Sequence, residues 1–482
     1  MNCLAFGRSW PARGAGWGSA TLLVVGLAAS APLSAGAEPA AARPVEVVVH
    51  HYFRPNDPTD TATQRLIAEA RQDPALSVRQ WGGINLPGGW GRASLMMSFA
   101  GRTAPDIMLT FFHGIRSDIE QGFLYPLNEW IGDDRNGDGE VDPAEARWPE
   151  WARVPPLWRT VATVDGKIYA LPVPFFTYTG LIFRRDLVTA AGLNPDQPPE
   201  TWDEFFYWCQ RLTFPKKDVP GAELKRGQRA FFLTPICWLW LPWMEAAGDT
   251  PIVQIRTSPT TGKEYVFRMD DLNCIAPDTG EDLSRVPPRW RANFSSPGGV
   301  AACDFFHRLM WAPWLIHPVS GEPVNLSAED VRRGAVQVNG ETLTFQPDEV
   351  IRGVVRAMTG GGGGQEDLFA RGEVAIMQWF DRDMERILGR MGVPPESIGM
   401  FPIPAKDRQH KPVFQVQRHY AAMTQMVASR PKAERDKIWK CLLAITGEEA
   451  GDADIRRKVL LGNAAWCHPR DLERLGLTDY LR

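Results

Sequence analysis

The chain has 482 residues, 44% hydrophobic and 23% charged, and its 53 Lys and Arg nearly balance 57 Asp and Glu for a formal charge of −4. That length holds two or three ordinary domains or one large two-lobed unit, and the composition excludes a disordered, collagen-like or disulfide-dense chain. The absence of a dense basic run argues against nucleic acid as the main partner, while 19 Trp against 8 Tyr supply an excess of large flat rings.

Arg8 and Arg13 precede an apolar stretch, Ala20 to Leu33, and Ala35-Gly36-Ala37 has the small-x-small pattern that a signal peptidase reads. Residues 1–37 read as a secretion signal, being too short and too rich in Ala, Gly and Pro for a membrane span. Its removal takes away two Arg and no acid, leaving 51 basic against 57 acidic residues on a chain bound for the periplasm or the exterior. No Cys follows the apolar run, so a lipid anchor has no attachment point. Cys209, Cys237, Cys274, Cys303, Cys441 and Cys467 remain. An even count in an oxidising compartment permits disulfides, and buried free thiols are an equal reading. The wide spacings hold no C-x-x-C and do not suggest zinc.

Val45-Glu46-Val47-Val48-Val49 is a β-branched run suited to a buried strand. Asp60 to Arg71 reads as an amphipathic helix, Ala104 to Leu109 as the next strand, and Ile115–Gly122 and Tyr125–Ile131 as helices. Asp165 to Pro172 is a turn feeding a strand, Leu181-Ile182-Phe183 is another strand, and Asp186 to Ala191 is a helix closed by Gly192. In Thr201-Trp202-Asp203-Glu204 the hydroxyl and the carboxylate are spaced to cap a helix running to Leu212. Residues 250–290 are polar and rich in Pro and Gly and read as an insertion or long loop. Ser296 to Met310 reads as a helix, Gly360 to Gly364 as a flexible loop, Asp367 to Gly372 as a helix that stops, Val374 to Met377 as a strand and Lys432 to Ile445 as a late helix. Strands alternating with helices predict an α/β fold with largely parallel sheets.

The sharpest local pattern runs from Asp134 to Glu145, Asp-Arg-Asn-Gly-Asp-Gly-Glu-Val-Asp-Pro-Ala-Glu, and fits D-x-[DN]-x-[DN]-G-x5-E at every specified position. Calcium takes six to eight hard oxygens in a flexible cage. Asp134, Asn136 and Asp138 would give side-chain oxygens, Glu140 its backbone carbonyl, Asp142 a water-mediated contact and Glu145 a bidentate carboxylate. One EF-hand-like loop without a pair suggests a structural Ca2+ rather than a sensor.

Several segments, in order, resemble the extracellular (periplasmic) solute-binding protein family 1, the sugar-binding components of ABC importers. Ala104-Pro105-Asp106-Ile107 with Gly122-Phe123-Leu124-Tyr125-Pro126-Leu127, then Asp165-Gly166-Lys167-Ile168-Tyr169-Ala170-Leu171-Pro172, look like two of that family's stretches. So do Leu181 to Leu187, Ala191-Gly192-Leu193, Pro199 to Glu204, Phe369 to Met377 and Met400 to Pro404. The resemblance implies a type II two-lobe periplasmic-binding-protein fold with mixed sheets flanked by helices, whose hinged lobes close on ligand. Lobe one would be 45–162 with 418–482, carrying the loop 134–145, and lobe two 163–417, carrying the insertion. Phe183-Arg184 departs from the family's usual pair there, and the chain ends where the family usually adds further helices.

In such folds ligands sit beyond the carboxyl ends of strands, and aromatic faces with planar polar groups suit sugars. The resemblance therefore points to His51 and Tyr52 after the first strand and to Phe111, Phe112 and His113 after the second. It also points to Phe175, Phe176 and Tyr178 in the middle, Trp379 and Asp381 further on, and Arg418 and Tyr420 on the return. Trp238 and Trp240, with Trp243, offer another stacking wall. No G-x-S-x-G, H-E-x-x-H or phosphate-loop pattern is present in the sequence. The expectation is a monomeric binder, not an enzyme, that captures a carbohydrate by hinge closure and delivers it to the membrane permease subunits of an ABC importer. The alternatives are a calcium-dependent extracellular glycan-binding or scaffolding protein and, behind it, a glycoside hydrolase.

Overall fold

The computed structural model describes residues 44–50, 66, 72–81, 92–111, 114–213, 229–233, 237–269, 271, 273–357, 365–380, 392, 395–460 and 469–481. The expected helix over 60–71 falls outside these except for Leu66, which is buried, and the glycine run 360–364 falls outside them too. The β-branched run forms β1 (Val45–Val49), which pairs in parallel with β2 (Leu76–Gln80) and β3 (Ile107–Phe111). After the helices α1 (Arg92–Ala100), α2 (Ile115–Glu120) and α3 (Pro156–Ala162) come the two-residue strands β4 (Thr163–Val164) and β5 (Lys167–Ile168). The expected helix over Tyr125–Ile131 is confined to Asn128–Ile131, because Leu124 and Tyr125 are tied to the end of a strand by the Tyr125 N–H bond to the Met423 carbonyl at 2.9 Å.

The strand after Asp165 and the strand at Leu181 are one element, β6 (Leu171–Arg184), whose aromatic and β-branched content suits extended backbone. Beyond it lie α4 (Arg185–Ala190), α5 (Trp202–Arg211), β7 (Arg229–Leu233) and α6 (Cys237–Ala246). The insertion is a three-stranded antiparallel sheet, not a loop: β8 (Ile252–Thr257) lies between β9 (Glu264–Arg268) and β10 (Arg289–Ala292). It has its own core of Tyr265, Phe267, Cys274, Ala276 and Leu283. The Arg256 guanidinium, buried beside that core, bonds the carbonyls of Leu283 and Ser284 at 2.9 and 2.7 Å and fastens the loop to the sheet. Next come α7 (Pro297–Trp311), capped by the Ser296 hydroxyl, and the small strands β11 (Pro313–Ile316), β12 (Pro323–Asn325), β13 (Ala335–Val338), β14 (Glu341–Thr344) and β15 (Ile351–Arg352). The chain continues through β16 (Val355–Ala357), α8 (Gln365–Ala370), β17 (Val374–Phe380), β18 (Ile398–Phe401), β19 (Gln415–Met423), α9 (Lys432–Thr446) and α10 (Glu448–Leu460).

Nine strands make the main sheet, in the order β16-β7-β17-β6-β19-β3-β1-β2, with β18 also on β6. Its outer parts are parallel, whereas β17 with β6, β6 with β19 and β19 with β3 are antiparallel. The sheet is therefore mixed, and less parallel than the alternation of elements predicts.

β6 serves two cores. Its first part, Leu171 and Val173, packs with Val47, Ile107, Ile438 and Leu442, and its last part, Leu181 and Phe183, packs with Phe205, Phe231, Trp243 and Phe305. Ile168 also belongs to the first core, so the change from one core to the other lies inside β6 rather than at residue 163. Opposite this stretch β6 spends four residues where β19 spends two, since Phe176 faces Arg418 and Pro172 faces Tyr420. Two prolines without N–H groups, Pro172 and Pro174, accompany this irregular pairing.

The Pro-Asp pair before β3 has a structural role. Buried Asp106 accepts the Val48 N–H at 2.8 Å and pairs with Arg430 at 2.7 Å, joining β1, β3 and the segment entering α9. Burial pushes its carboxyl up, against the pull of the Val48 amide and Arg430. Most tryptophans pack: Trp202 stacks on Phe305 at 4.7 Å, and Trp151, Trp243 and Trp314 are fully buried. Cys209, Cys274 and Cys303 are free thiols. Among the described residues no helix is long and apolar enough to cross a membrane.

The capping box forms as the sequence predicts, with Thr201 Oγ1 accepting the Glu204 N–H at 3.3 Å and Glu204 Oε2 accepting those of Thr201 and Glu200 at 3.2 and 2.8 Å. Burial pushes the Glu204 carboxyl up, but those two amides and Arg408 outweigh it and hold it below its ordinary value. A depressed carboxyl stabilises the fold above its unfolded value of about 4.3 and loses that contribution as pH falls through the depressed one. Glu204→Gln therefore melts below the wild type at pH 7, and the two melting temperatures converge as the pH is taken below 4; a gap that persists in acid refutes the assignment.

Candidate functional site

In the first core β3 runs to Phe111, which faces His419 at the middle of β19, while parallel β1 ends level with the start of β3, Val49 opposite Ile107. In the second core β17 ends beside β6, where Phe380 faces Thr179, and β7 runs parallel to β17 on its far side. The ends of β3 and β17 thus flank the stretch where β6 and β19 pair between the cores. The segments that continue from these strands, and with them His51, Tyr52, Phe112, His113 and Asp381, lie outside the described residues. Phe175, Phe176 and Tyr178 fall in the crossing part of β6 and Arg418 in that of β19, with Arg418 opposite Phe176 and Val416 opposite Tyr178. Trp238 lies in the first turn of α6.

Phe111 is part-exposed and meets the His419 ring edge-on at 4.6 Å. Beneath it Thr110 donates its hydroxyl to Asp118 at 2.7 Å. Trp240 is part-exposed at the start of α6, a helix held to β17 by the Gln378 amide, which donates to the Leu239 carbonyl at 2.8 Å and accepts the Trp243 indole N–H at 2.9 Å. Two expected ligand-facing rings are packing residues. Tyr420 is fully buried and gives its hydroxyl to the Trp158 carbonyl at 3.2 Å, and Trp379 is buried with Ile182, Phe232 and Met377. Each sits one position along its strand from a residue nearer the crossing, so alternation carries it to a covered face.

The strands also hold polar groups that the sequence reading passed over. Thr179 is fully buried, and its hydroxyl and the Gln415 amide oxygen have no hydrogen-bond partner although the two residues face each other on β6 and β19. A buried polar atom without a partner costs about 1–3 kcal/mol, so these groups at the crossing call for water, a ligand hydroxyl or a change of conformation. The sequence signal is the Thr-x-Thr alternation at Thr177 and Thr179 within an otherwise apolar strand.

The acidic loop lies elsewhere, under the first core. Asp134 accepts the N–H groups of Gly137 and Gly139 at 2.7 and 2.9 Å, Asn136 that of Asp138 at 2.9 Å, and Asp138 that of Glu140 at 3.0 Å. Glu145 reaches back to the amides of Arg135, Asn136 and Asp142 at 2.8–3.0 Å. Val141 is buried, and its carbonyl accepts the Trp151 indole N–H at 2.8 Å. Among the described residues no three His, Cys, Asp or Glu side chains converge as a metal cage. The donors of Asp134, Asn136, Asp138, Asp142 and Glu145 are all oxygens, the chemistry a hard cation takes, but here backbone N–H groups occupy most of them, while the Glu140 carboxylate accepts the Thr160 hydroxyl.

The loop is pinned at both ends: Trp130 before it stacks on Trp439 of α9 at 5.2 Å, and Trp148 after it meets the same ring edge-on at 5.7 Å. Lys432 and the Trp130 indole N–H hold Asp436 of the same helix below the usual carboxylate range. The β4–β5 turn packs on the loop, Gly166 N–H bonding the Gly139 carbonyl at 2.9 Å. Gly166 has φ +67°, and a Cβ there would stand 2.8 Å from Asp134 Cβ and Oδ2. Gly166→Ala should therefore cost about 2 kcal/mol or more, against about 1 kcal/mol for Gly137→Ala, where φ is +78° but the space is open. Urea unfolding of the two variants compares them, and equal losses would remove the steric contact from the argument.

Residues 87–273 match the family described as bacterial extracellular solute-binding protein. No curated protein matches the chain in sequence. Over 91% of this chain and 87% of its own, the Listeria monocytogenes ABC substrate-binding protein Lmo0181, solved with cycloalternan, superposes with a TM-score of 0.53 at 13% identity. The Streptomyces glaucescens GacH receptor, solved with acarbose, covers 90% and 86% with a TM-score of 0.52 at 14% identity. UgpB from Mycobacterium tuberculosis, in complex with glycerophosphocholine, covers 90% and 84% with a TM-score of 0.53 at 15% identity. Residues 87–273 thus resemble the bacterial extracellular solute-binding protein family in sequence, and along nine-tenths of its length the chain shares the fold of these solved proteins.

Proposed function

We propose that this protein, exported by residues 1–37, captures a carbohydrate between two hinged lobes and delivers it to the permease subunits of an ABC importer as a monomeric, non-catalytic component. The observation that carries this reading is the antiparallel pair β6 and β19, of which β6 packs in one core at its start and in another at its end, with the ends of β3 and β17 flanking the pair. Solved proteins of the same fold were crystallised with cycloalternan and with acarbose. Lobe one is proposed as 45 to the first part of β6 together with the return from β19, and lobe two as the chain between.

Bending at the crossing brings the strand-end segments together over the ligand, a hinge closure around a fixed site. Phe111, with the aromatic residues placed on β6, gives faces for C–H-rich sugar surfaces. Gln415 and Thr179 offer unsatisfied polar atoms to hydroxyls or to bridging water. The ligand's preference for the closed form shifts the population of conformers, and no bond is broken.

Titration calorimetry against a panel of mono- and oligosaccharides, with glycerophosphocholine as a comparison ligand, should give saturable binding to a saccharide together with a smaller radius of gyration in solution scattering. Phe111→Ala should weaken that affinity about tenfold. Saccharide turnover would instead establish a hydrolase, and binding to insoluble glycan without closure a scaffold.

We further propose that the loop 134–145 holds a structural calcium ion through Asp134, Asn136, Asp138, the Glu140 carbonyl, Asp142 by way of water, and Glu145. Its supports are the pre-formed turn at Gly139, the buried Val141 and the all-oxygen donor set. Binding requires Glu145 to leave the amides it now accepts. At a hundred times its dissociation constant, calcium should add about 2.7 kcal/mol. The rise in melting temperature should vanish in Glu145→Gln, and an unchanged melt on chelation of the wild type would sink this assignment.

A further inference from the structure

The inserted sheet carries an uncovered row of aromatic rings. Trp290 on β10 is 55% exposed and Phe294, just beyond its end, 52% exposed. Trp290 faces Gln254 and Ala292 faces Ile252, itself 38% exposed, so Trp290, Ala292 and Ile252 share one face of the sheet. The Asn293 N–H continues the ladder by bonding the Pro251 carbonyl at 2.8 Å, and Phe294 lies in the turn that follows. Arg289 and Arg291 alternate to the opposite face, where Arg289 pairs with Glu264 at 2.9 Å. The row therefore has no charged strand residue between its rings.

The row does not end in open solvent. The Phe294 ring meets Trp240 of α6 edge-on at 6.0 Å. The residue before Trp240, Leu239, is bonded through its carbonyl to Gln378 of β17, the strand whose carboxyl end flanks the crossing. The three rings thus run from α6, held against β17, out onto the insertion.

We propose that Trp240, Phe294 and Trp290 form an aromatic track that stacks the outer units of an oligosaccharide whose inner units occupy the cleft, so that the insertion selects long chains over short ones. This rests on the carbohydrate reading above and extends it to a second contact region. The area available favours a sugar chain over a protein. Half-exposed aromatic side chains offer about 100 Å² each, so Trp290 and Phe294 with the less exposed Trp240 give under about 300 Å², well short of the roughly 800 Å² per partner in a stable protein interface. A narrow row of flat faces suits successive pyranose rings, each of which presents one C–H-rich side.

The test compares the wild type with the Trp290→Ala/Phe294→Ala double variant by calorimetry, using short and long members of α-glucan, β-glucan and β-galactan oligosaccharide series. Both residues are exposed, and a matched melting temperature verifies that the variant folds. The wild type should bind the long member of its preferred series more tightly than the short one. The variant should lose about tenfold for the long member and keep its affinity for the short one. Equal affinities of both proteins for both lengths would overturn the track while leaving the carbohydrate reading intact. Loss of self-association or of permease stimulation in the variant, with saccharide affinities unchanged, would make the row a protein interface and overturn it as well. Wild-type binding to no saccharide would overturn both.

Discussion

The whole arrangement depends on one pair of hydrogen-bonded strands. β6 and β19 are the elements through which the main sheet passes from one core to the other, and α9 packs on both. An antiparallel pair resists stretching and shear through its ladder, yet twists and bends at modest cost where the ladder is irregular. The irregularity falls at that place: four residues of β6 oppose two of β19, with prolines that cannot donate to the ladder.

Much of this was legible in the sequence because it is local. The β-branched run at Val45, the Thr-x-x-Glu capping box and the late helix at Lys432 follow from side-chain stereochemistry and hydrogen bonding within a few residues. The insertion shows where such reading fails. Its Pro and Gly content suggested a loop, but Glu264-Tyr-Val-Phe-Arg alternates exposed and buried residues along β9, a period-two signal that composition alone hides. The site was less legible still, for a physical reason. A residue's distance from a strand end says that it lies near the cleft, but its face depends on pairing register with a strand hundreds of residues away. Thus Phe111 is part-exposed at the crossing, while Tyr420, read from the same rule, is sealed in the core beneath Trp158. The facing of Thr179 by Gln415 is a long-range fact of the same kind.

The tryptophan excess resolves along similar lines. Trp151, Trp243 and Trp314 fill cores, Trp202 closes the capping box from inside through its bond to the Pro404 carbonyl at 2.9 Å, and Trp130 and Trp148 brace the acidic loop. A large ring used for packing satisfies its N–H on a backbone carbonyl or a side chain, as Trp151 and Trp243 do. A ring that lies half exposed, without such a brace, is costly to keep in water and invites a functional reading. Composition supplied the supply of rings, and only burial distinguishes their uses.

The acidic loop raises the question of how a feature far from the cleft could matter to it. Both of its ends rest on Trp439, and the helix carrying Trp439 packs on β19 and β6. On another side the Asp165-Gly166 turn presses on Asp134 and leads within five residues into β6. The loop is therefore clamped between the two routes by which the chain enters and leaves the crossing. An ion there, drawing Glu145 and the Asp side chains onto one centre, would remove conformational freedom from the platform that holds both crossing strands. That is an entropic effect. It would act on the first core as a body, next to the irregular pairing of β6 with β19.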